Sequence, residues 1–290
     1  MSAFTNSPVV VGADGSEQSL VAVRWAAAYA ARRRLPLHLV YAIGVPVDFV
    51  PGLSGPPLDY EAFRARGETL LGAAAEVAKN AAGSSATVDL TTAVVGAEPI
   101  PVLRDLGRTA SLLVVGSRGL GAFRRTLLGS VSSALARHAP CPVAVVPDAE
   151  GGVWEGSVVV GVDGSPHSAR AIAIAFDEAS TRDTGVVAVH AWSEFNRYDA
   201  RPDMQTQAEA LLSESIAGYR EMYPDVPVKR VVVQDRPARA LLHAAASAQL
   251  IVVGSRGRGG FVGMTLGSVS QAVLHTAECP LIIVRDADDG

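Results

Sequence analysis

The 290-residue chain has little lysine, little cysteine, few aromatics and no long apolar run, and each shortage excludes something. Lysine occurs twice, at Lys79 and Lys229, and neither lies near a glycine-rich loop. With no G-x-x-x-x-G-K-[ST] anywhere, a Walker-type phosphate loop is excluded. Cysteine also occurs twice, at Cys141 and Cys279, each before a proline at the start of a short apolar strand. A disulfide would have to join the same point of two repeats, so both read as buried structural thiols, and redox chemistry is set aside. No His/Cys/Glu cluster has metal-ligand spacing. No stretch approaches about 18 uninterrupted apolar residues, and MSAFTNSP lacks the charged and apolar regions of a secretory leader. A cytoplasmic, soluble protein is the expectation. The formal charge of −4 and isoelectric point near 5.9 give no electrostatic footprint for nucleic acid. Aromatics make up 6% against 49% hydrophobic residues, so the cores must be mostly Ala, Val and Leu.

What the chain does have is one long motif, present twice. Leu112 to Ser133 reads LLVVGSRGLGAFRRTLLGSVSS, and Leu250 to Gln271 reads LIVVGSRGRGGFVGMTLGSVSQ. Each copy has an apolar run, Gly-Ser-Arg-Gly, nine residues and a Gly-Ser pair: Gly116, Gly119, Gly129 and Ser130, then Gly254, Gly257, Gly267 and Ser268. The apolar run suits a central parallel strand buried on both faces. The glycines let the backbone turn and approach a ligand closely. Ser130 and Ser268 read as N-caps of new helices, whose free N–H groups suit anionic oxygens. Each copy therefore reads as a phosphate cradle. A simple strand-turn-helix bend is the alternative, but it requires neither the distant Gly-Ser nor the same interval in both halves.

The remaining pattern is duplicated too. Strands are expected near 8–13, 35–43, 86–95, 112–115 and 142–146, with helices from Ser16, Asp59, Glu98 and Ser130 between them. After a linker at 147–156 the order repeats, giving two domains, 1–147 and 157–290. The offset between copies is 149 at Asp14/Asp163 but 138 at Gly116/Gly254, and a shorter loop after the second strand of the second half accounts for the eleven residues lost. The first-half loop, 44–58, is long enough for a lid or contact role. Alternating strands and helices predict an α/β fold of two tandem, doubly wound, parallel five-stranded sheets of order 3-2-1-4-5, Rossmann-like and suited to nucleotides. The switch point then falls between strands one and four, beside Asp14 and Gly116, and beside Asp163 and Gly254. Each aspartate reads either as a ligand group or as the acceptor of an Asx turn in GADGS and GVDGS. Strand five is expected at a sheet edge, where the domains would pair within one chain or across a homodimer.

A dinucleotide fingerprint is poorly met, because GSRGLG follows the fourth strand and not the first. Arg118, Arg124 and Arg125, and Arg256 and Arg258, have the chemistry to neutralise phosphates, although Arg124 and Arg125 face Val262 and Gly263 in the second copy. His38 and His190 fall in strands and His138 and His275 in helices, where packing or a solvated face is the better reading than catalysis. The pattern argues for binding more than for chemistry.

Taken together, VVVGADGS and VVVGVDGS, the twice-met G-x2-G-x9-G-[ST], and the CPVAVV and CPLIIV closing strands make the whole chain resemble the universal stress proteins, in the tandem two-domain form found in mycobacteria and related actinobacteria. That resemblance implies one ATP site per domain, with or without Mg2+. The first would comprise Gly12, Asp14, Gly116, Ser117, Arg118, Gly119, Gly129 and Ser130, with Val40 and Ala42 toward the adenine. The second would comprise Gly161, Asp163, Gly254, Ser255, Arg256, Gly257, Gly267 and Ser268, with Val189 and Ala191. It also implies a regulator or sensor in stress, hypoxia or dormancy, with little or no ATP turnover and an unidentified regulatory partner. A slow ATPase or phosphate- or adenylyl-transferring enzyme is one alternative, and a protein-interaction scaffold with incidental nucleotide is another.

Overall fold

The computed structural model describes residues 7–44, 59–83, 88–120, 128–148, 153–192, 201–259 and 265–285, without the side chains of 201–203. The expected lid loop (all but its first residue, Gly44), Arg124, Arg125, Val262 and Gly263 lie outside the described residues. The chain divides into two compact units, residues 1–135 and 136–290.

In the first unit, β1 (Val9–Gly12), β2 (Leu37–Ala42), β3 (Leu90–Val95) and β4 (Leu112–Gly116) alternate with α1 (Glu17–Arg33), α2 (Tyr60–Ala82) and α3 (Pro99–Gly107), and α4 (Ser130–His138) follows. The strand order is β3-β2-β1-β4. All pairings are parallel, with Val9 opposite both Leu37 and Leu112. The second unit holds β5 (Val143–Val146), β6 (Val158–Gly161), β7 (Val186–Trp192), β8 (Val228–Gln234), β9 (Leu250–Gly254) and β10 (Leu281–Val284). Its helices are α5 (Pro166–Thr181), α6 (Arg201–Met222), α7 (Pro237–Ala244) and α8 (Ser268–Thr276). There the order β8-β7-β6-β9-β10 completes 3-2-1-4-5. β5 adds to the outer edge of β10 as the one antiparallel partner, Leu281 opposite Val145. The strand-five pairing thus takes its within-chain form. It also places the packing boundary at 135/136, inside α4 and ahead of the 147–156 linker of the sequence repeat.

Composition explains these elements. β4, β5, β9 and β10 are consecutive Leu, Ile, Val and Ala residues, buried on both faces except for the terminal glycines of β4 and β9, and each buried Val or Leu contributes roughly 1.5–3 kcal/mol. The outer strands β3 and β8 instead expose residues such as Thr91, Thr92, Lys229 and Arg230. Alanine serves both propensity and close approach in α1, which buries Ala22, Ala26, Ala27 and Ala30 against the sheet. The strand near 86–95 begins at Leu90, and the helix expected over 98–109 runs from Pro99 to Gly107. The strand-one to strand-four pairing opens the carboxyl ends of β1 and β4, and of β6 and β9, into a cavity in each unit.

Candidate functional site

Each cavity is assembled around the Asp-Gly-Ser that follows strand one. Asp14 Oδ1 accepts from Ser16 N at 3.0 Å and from Ser16 Oγ at 2.6 Å, while Oδ2 accepts from Leu120 N at 2.8 Å. Asp163 Oδ1 accepts from Ser165 N at 2.9 Å and Oδ2 from Arg258 N at 3.1 Å. One oxygen thus makes the Asx turn and the other pins the glycine loop to the end of strand one. Gly15 and Gly164, with φ of +84° and +75°, supply the left-handed turn beside it. A Cβ on Gly119 would fall on Asp14 Oδ2, and one on Gly257 on Asp163 Oδ2. Glycine is required there because the carboxylate occupies the space a side chain would take.

The far end of each loop returns to its start. Gly129 N donates to Ser117 O, and Gly267 N to Ser255 O, both at 2.7 Å. Ser132 Oγ donates to Ser117 O at 3.1 Å and Gly129 O at 3.0 Å, and Ser270 Oγ to Gly254 O at 2.6 Å. Equal intervals in the two copies thus come with the same glycine N–H returning to a serine carbonyl, while Ser132 and Ser270 reach carbonyls one position apart.

Two expectations are corrected here. Ser130 and Ser268 are not N-caps: they are the first residues of α4 and α8, and Gly267 takes the cap position of α8 with no side-chain acceptor. Ser16 and Ser165 do cap α1 and α5, accepting from Ser19 N at 3.1 Å and Ser168 N at 3.2 Å. Among the described residues no side chain caps the first turn of α8, where Ser268, Val269 and Ser270 line the cavity, and the positive end of the helix dipole points there. The second correction concerns Ser117 and Ser255, which line neither cavity. Their carbonyls are the staples just described, and Ser255 is fully buried with its Oγ unpartnered.

The other predicted residues are brought together. Gly12, Asp14, Val40, Ala42, Gly116, Arg118, Gly119, Gly129 and Ser130 line a first cavity of about 500 Å3. Gly161, Asp163, Val189, Ala191, Gly254, Arg256, Gly257, Gly267 and Ser268 line a second of about 270 Å3. Sequence reasoning missed the apolar wall from the third helix of each repeat, Pro99 and Leu103 in one and Pro237 and Leu241 in the other. The available signal was position: this helix starts straight after strand three and must cover the switch point. Between wall and loop each cavity has an apolar end and an anion-seeking end.

Arg258 also lines the second cavity, and neither wall contains a His or Lys among the described residues. His38 Nδ1 lies 2.8 Å from Thr91 Oγ1, and partial burial lowers its pKa. His190 Nδ1 donates to Val162 O at 2.7 Å. Cys141 and Cys279 are buried and unbridged, and burial pushes the Cys279 thiol up to about 12. Among the described residues no group of three His, Cys, Asp or Glu side chains is placed to hold a metal ion, and no helix is long and apolar enough to cross a membrane.

Comparison with known proteins follows the same duplication. The model of the Universal stress protein family matches residues 5–147 and again 156–285, and the chain belongs to that family. A universal stress protein of Mycobacterium tuberculosis strain H37Rv is 44% identical over 286 residues, covering 96% of this chain and 97% of the relative. A crystal structure of a universal stress protein from Archaeoglobus fulgidus shares the fold, with a TM-score of 0.73 at 18% identity over 98% of this chain and 99% of that one. A solved universal stress protein in complex with cAMP matches 50% of this chain and 98% of that one at 32% identity, with a TM-score of 0.38.

Proposed function

We propose that each repeat binds one ATP and that the bound nucleotide, rather than its turnover, is the output. The observation that carries this reading is the twin cavity at the strand-one/strand-four switch point, apolar at one end and closed at the other by a glycine loop. In the second repeat that loop leads into a helix whose first N–H groups lack a side-chain cap. The residues fit the group: open helix N–H groups and Arg118 or Arg256 would take the phosphates, and Val40 and Ala42, or Val189 and Ala191, would flank the adenine against the third-helix wall. The first cavity, of about 500 Å3, falls in the usual range for ligand sites, and the second, of about 270 Å3, just below it.

A binding role suits the chemistry of the walls. The two carboxylates present, Asp14 and Asp163, already accept from backbone N–H groups of their own turn and loop. Neither wall offers a histidine or lysine to activate a nucleophile. We accordingly propose a cytoplasmic regulator in stress or dormancy, acting through a nucleotide-biased conformation and an unidentified protein partner; a homodimer is proposed separately from the strand-five pairing, which β5 and β10 make within the chain. Calorimetry with ATP, with and without Mg2+, is expected to show saturable binding, and release of ADP is expected to stay at the level of a Ser130→Ala/Ser268→Ala double variant. Turnover well above that variant would replace the regulator by an ATPase. Light scattering that reads a monomer at every concentration would remove the homodimer.

A further inference from the structure

The two copies of G-S-R-G differ at the next residue: Leu120 in the first, Arg258 in the second. Both use their backbone N–H in the same way, to hold Oδ2 of the strand-one aspartate. Their side chains do different things. Leu120 is 64% exposed and does not line its cavity. Arg258 lines the second cavity, and its guanidinium lies over the turn at Gly164, where an added Cβ would come within 3.1 Å of Arg258 Cζ. In the first unit the matching surface of Gly15 is covered by the Leu70 side chain from α2. The guanidinium of Arg258 forms no ion pair among the described residues; the Asp163 oxygens accept from Ser165 N and from the Arg258 backbone N–H. An exposed cation without an ion pair among the described residues therefore lines one site, and the equivalent alkyl side chain stays outside the other.

We infer that Arg258 is a specificity residue of the second site, reading the terminal phosphates of a nucleoside polyphosphate, and that this contact has no counterpart at Leu120. The inference rests on the nucleotide reading of the cavities. Phosphate count is what such a residue reads, because a guanidinium at a solvent-facing rim adds little to a ligand whose charge stops at one phosphate and more to each charge that reaches outward. The contact is exposed, so salt screens it.

The test measures each site alone, in the full chain, with the other closed by Gly119→Val or Gly257→Val. The readout is the ratio of ATP to AMP affinity by calorimetry at low and high salt. Arg258→Leu is expected to lower that ratio at the second site by about 5–10-fold at low salt, with the difference shrinking as salt rises. Leu120→Arg is expected to raise the ratio at the first site, the converse change, which keeps the inference open to refutation even if Arg258→Leu folds poorly. Nucleotide binding whose ATP/AMP ratio is unmoved by both substitutions, or moved without salt dependence, overturns the role of Arg258 and leaves the nucleotide reading standing. No binding of AMP, ADP or ATP by the unsubstituted chain overturns both.

Discussion

The two repeats solve the same local problems with different side chains, and the differences separate what the site requires from what the fold tolerates. The Asp-Gly-Ser turn, the clasp from Gly129 or Gly267 back to a serine carbonyl, and the glycine facing the aspartate are the same in both. The rim is not, and neither is the back of the first helix. In α1, Tyr29 stacks on Trp25 at 5.4 Å and carries Arg33 over its ring at 5.0 Å. At the matching positions of α5 and the residue after it, Glu178 and Arg182 form an ion pair at 2.8 Å with side chains 1% and 7% exposed, and Arg182 also donates to Gln249 Oε1 at 3.1 Å. The cradle is held constant, and the surface that only supports it has been free to change from aromatic packing to buried charge.

This contrast predicts the largest effect of a single substitution on stability. Glu178→Ala leaves a guanidinium buried without its carboxylate and should cost about 3–5 kcal/mol in denaturant unfolding. Tyr29→Leu, at the equivalent point of the first unit, loses the stacked ring and the cation over it and should cost less, about 1–2 kcal/mol. Equal losses would mean that the second unit does not depend on the pair.

The pins come next. Asp14 accepts three hydrogen bonds and Asp163 two among those described. Asp14→Ala is therefore expected to destabilise the protein by about 1–3 kcal/mol, and Asp163→Ala by less. Asp14→Asn sharpens the point. Its single amide oxygen can keep the turn to Ser16 but then presents an NH2 to Leu120 N, so nucleotide affinity at the first site should fall nearly as far as in Asp14→Ala while stability falls only part of the way. If Asp14→Asn binds like the unsubstituted chain, the loop pin has no role in the site.

The smallest effect concerns the Cys279 thiol. Burial raises its pKa in the folded state from an ordinary 9.0 to about 12. The folded chain therefore holds a proton that the unfolded chain loses, and the thiol's contribution is fully present below about pH 9 and disappears as pH rises from about 9 to 12. At neutral pH the checkable consequence is slow reaction of the native protein with a thiol reagent and rapid reaction after unfolding.

Much of this was legible in the sequence because duplication doubles every signal. Val-rich runs ending in Gly-x-Asp-Gly-Ser or in Gly-Ser-Arg-Gly place strands one and four and their carboxyl ends, and alternation of strands with alanine-rich helices gives the strand order. The helix starts were misread at Ser130 and Ser268 because serine before an apolar stretch is the ordinary N-cap pattern. Here the helix serines Ser132 and Ser270 donate to carbonyls, and among the described residues no side chain caps the start of α8. The third-helix wall stayed hidden for a different reason. Pro99, Leu103, Pro237 and Leu241 have the spacing of any amphipathic helix, and only three-dimensional placement distinguishes a core face from a cavity face. Ser117 and Ser255 sit between essential glycines yet act through their carbonyls, which no side-chain pattern reports.

The central claim is one nucleotide site in each repeat, and counting sites tests it most directly. Nucleotide bound per chain is measured by equilibrium dialysis against saturating ATP for the unsubstituted protein, Gly119→Val, Gly257→Val and the double variant, with circular dichroism showing each to be folded. The account predicts two, one, one and none, because the new side chain displaces the aspartate pin of its own repeat. Undiminished binding in the folded double variant would contradict it.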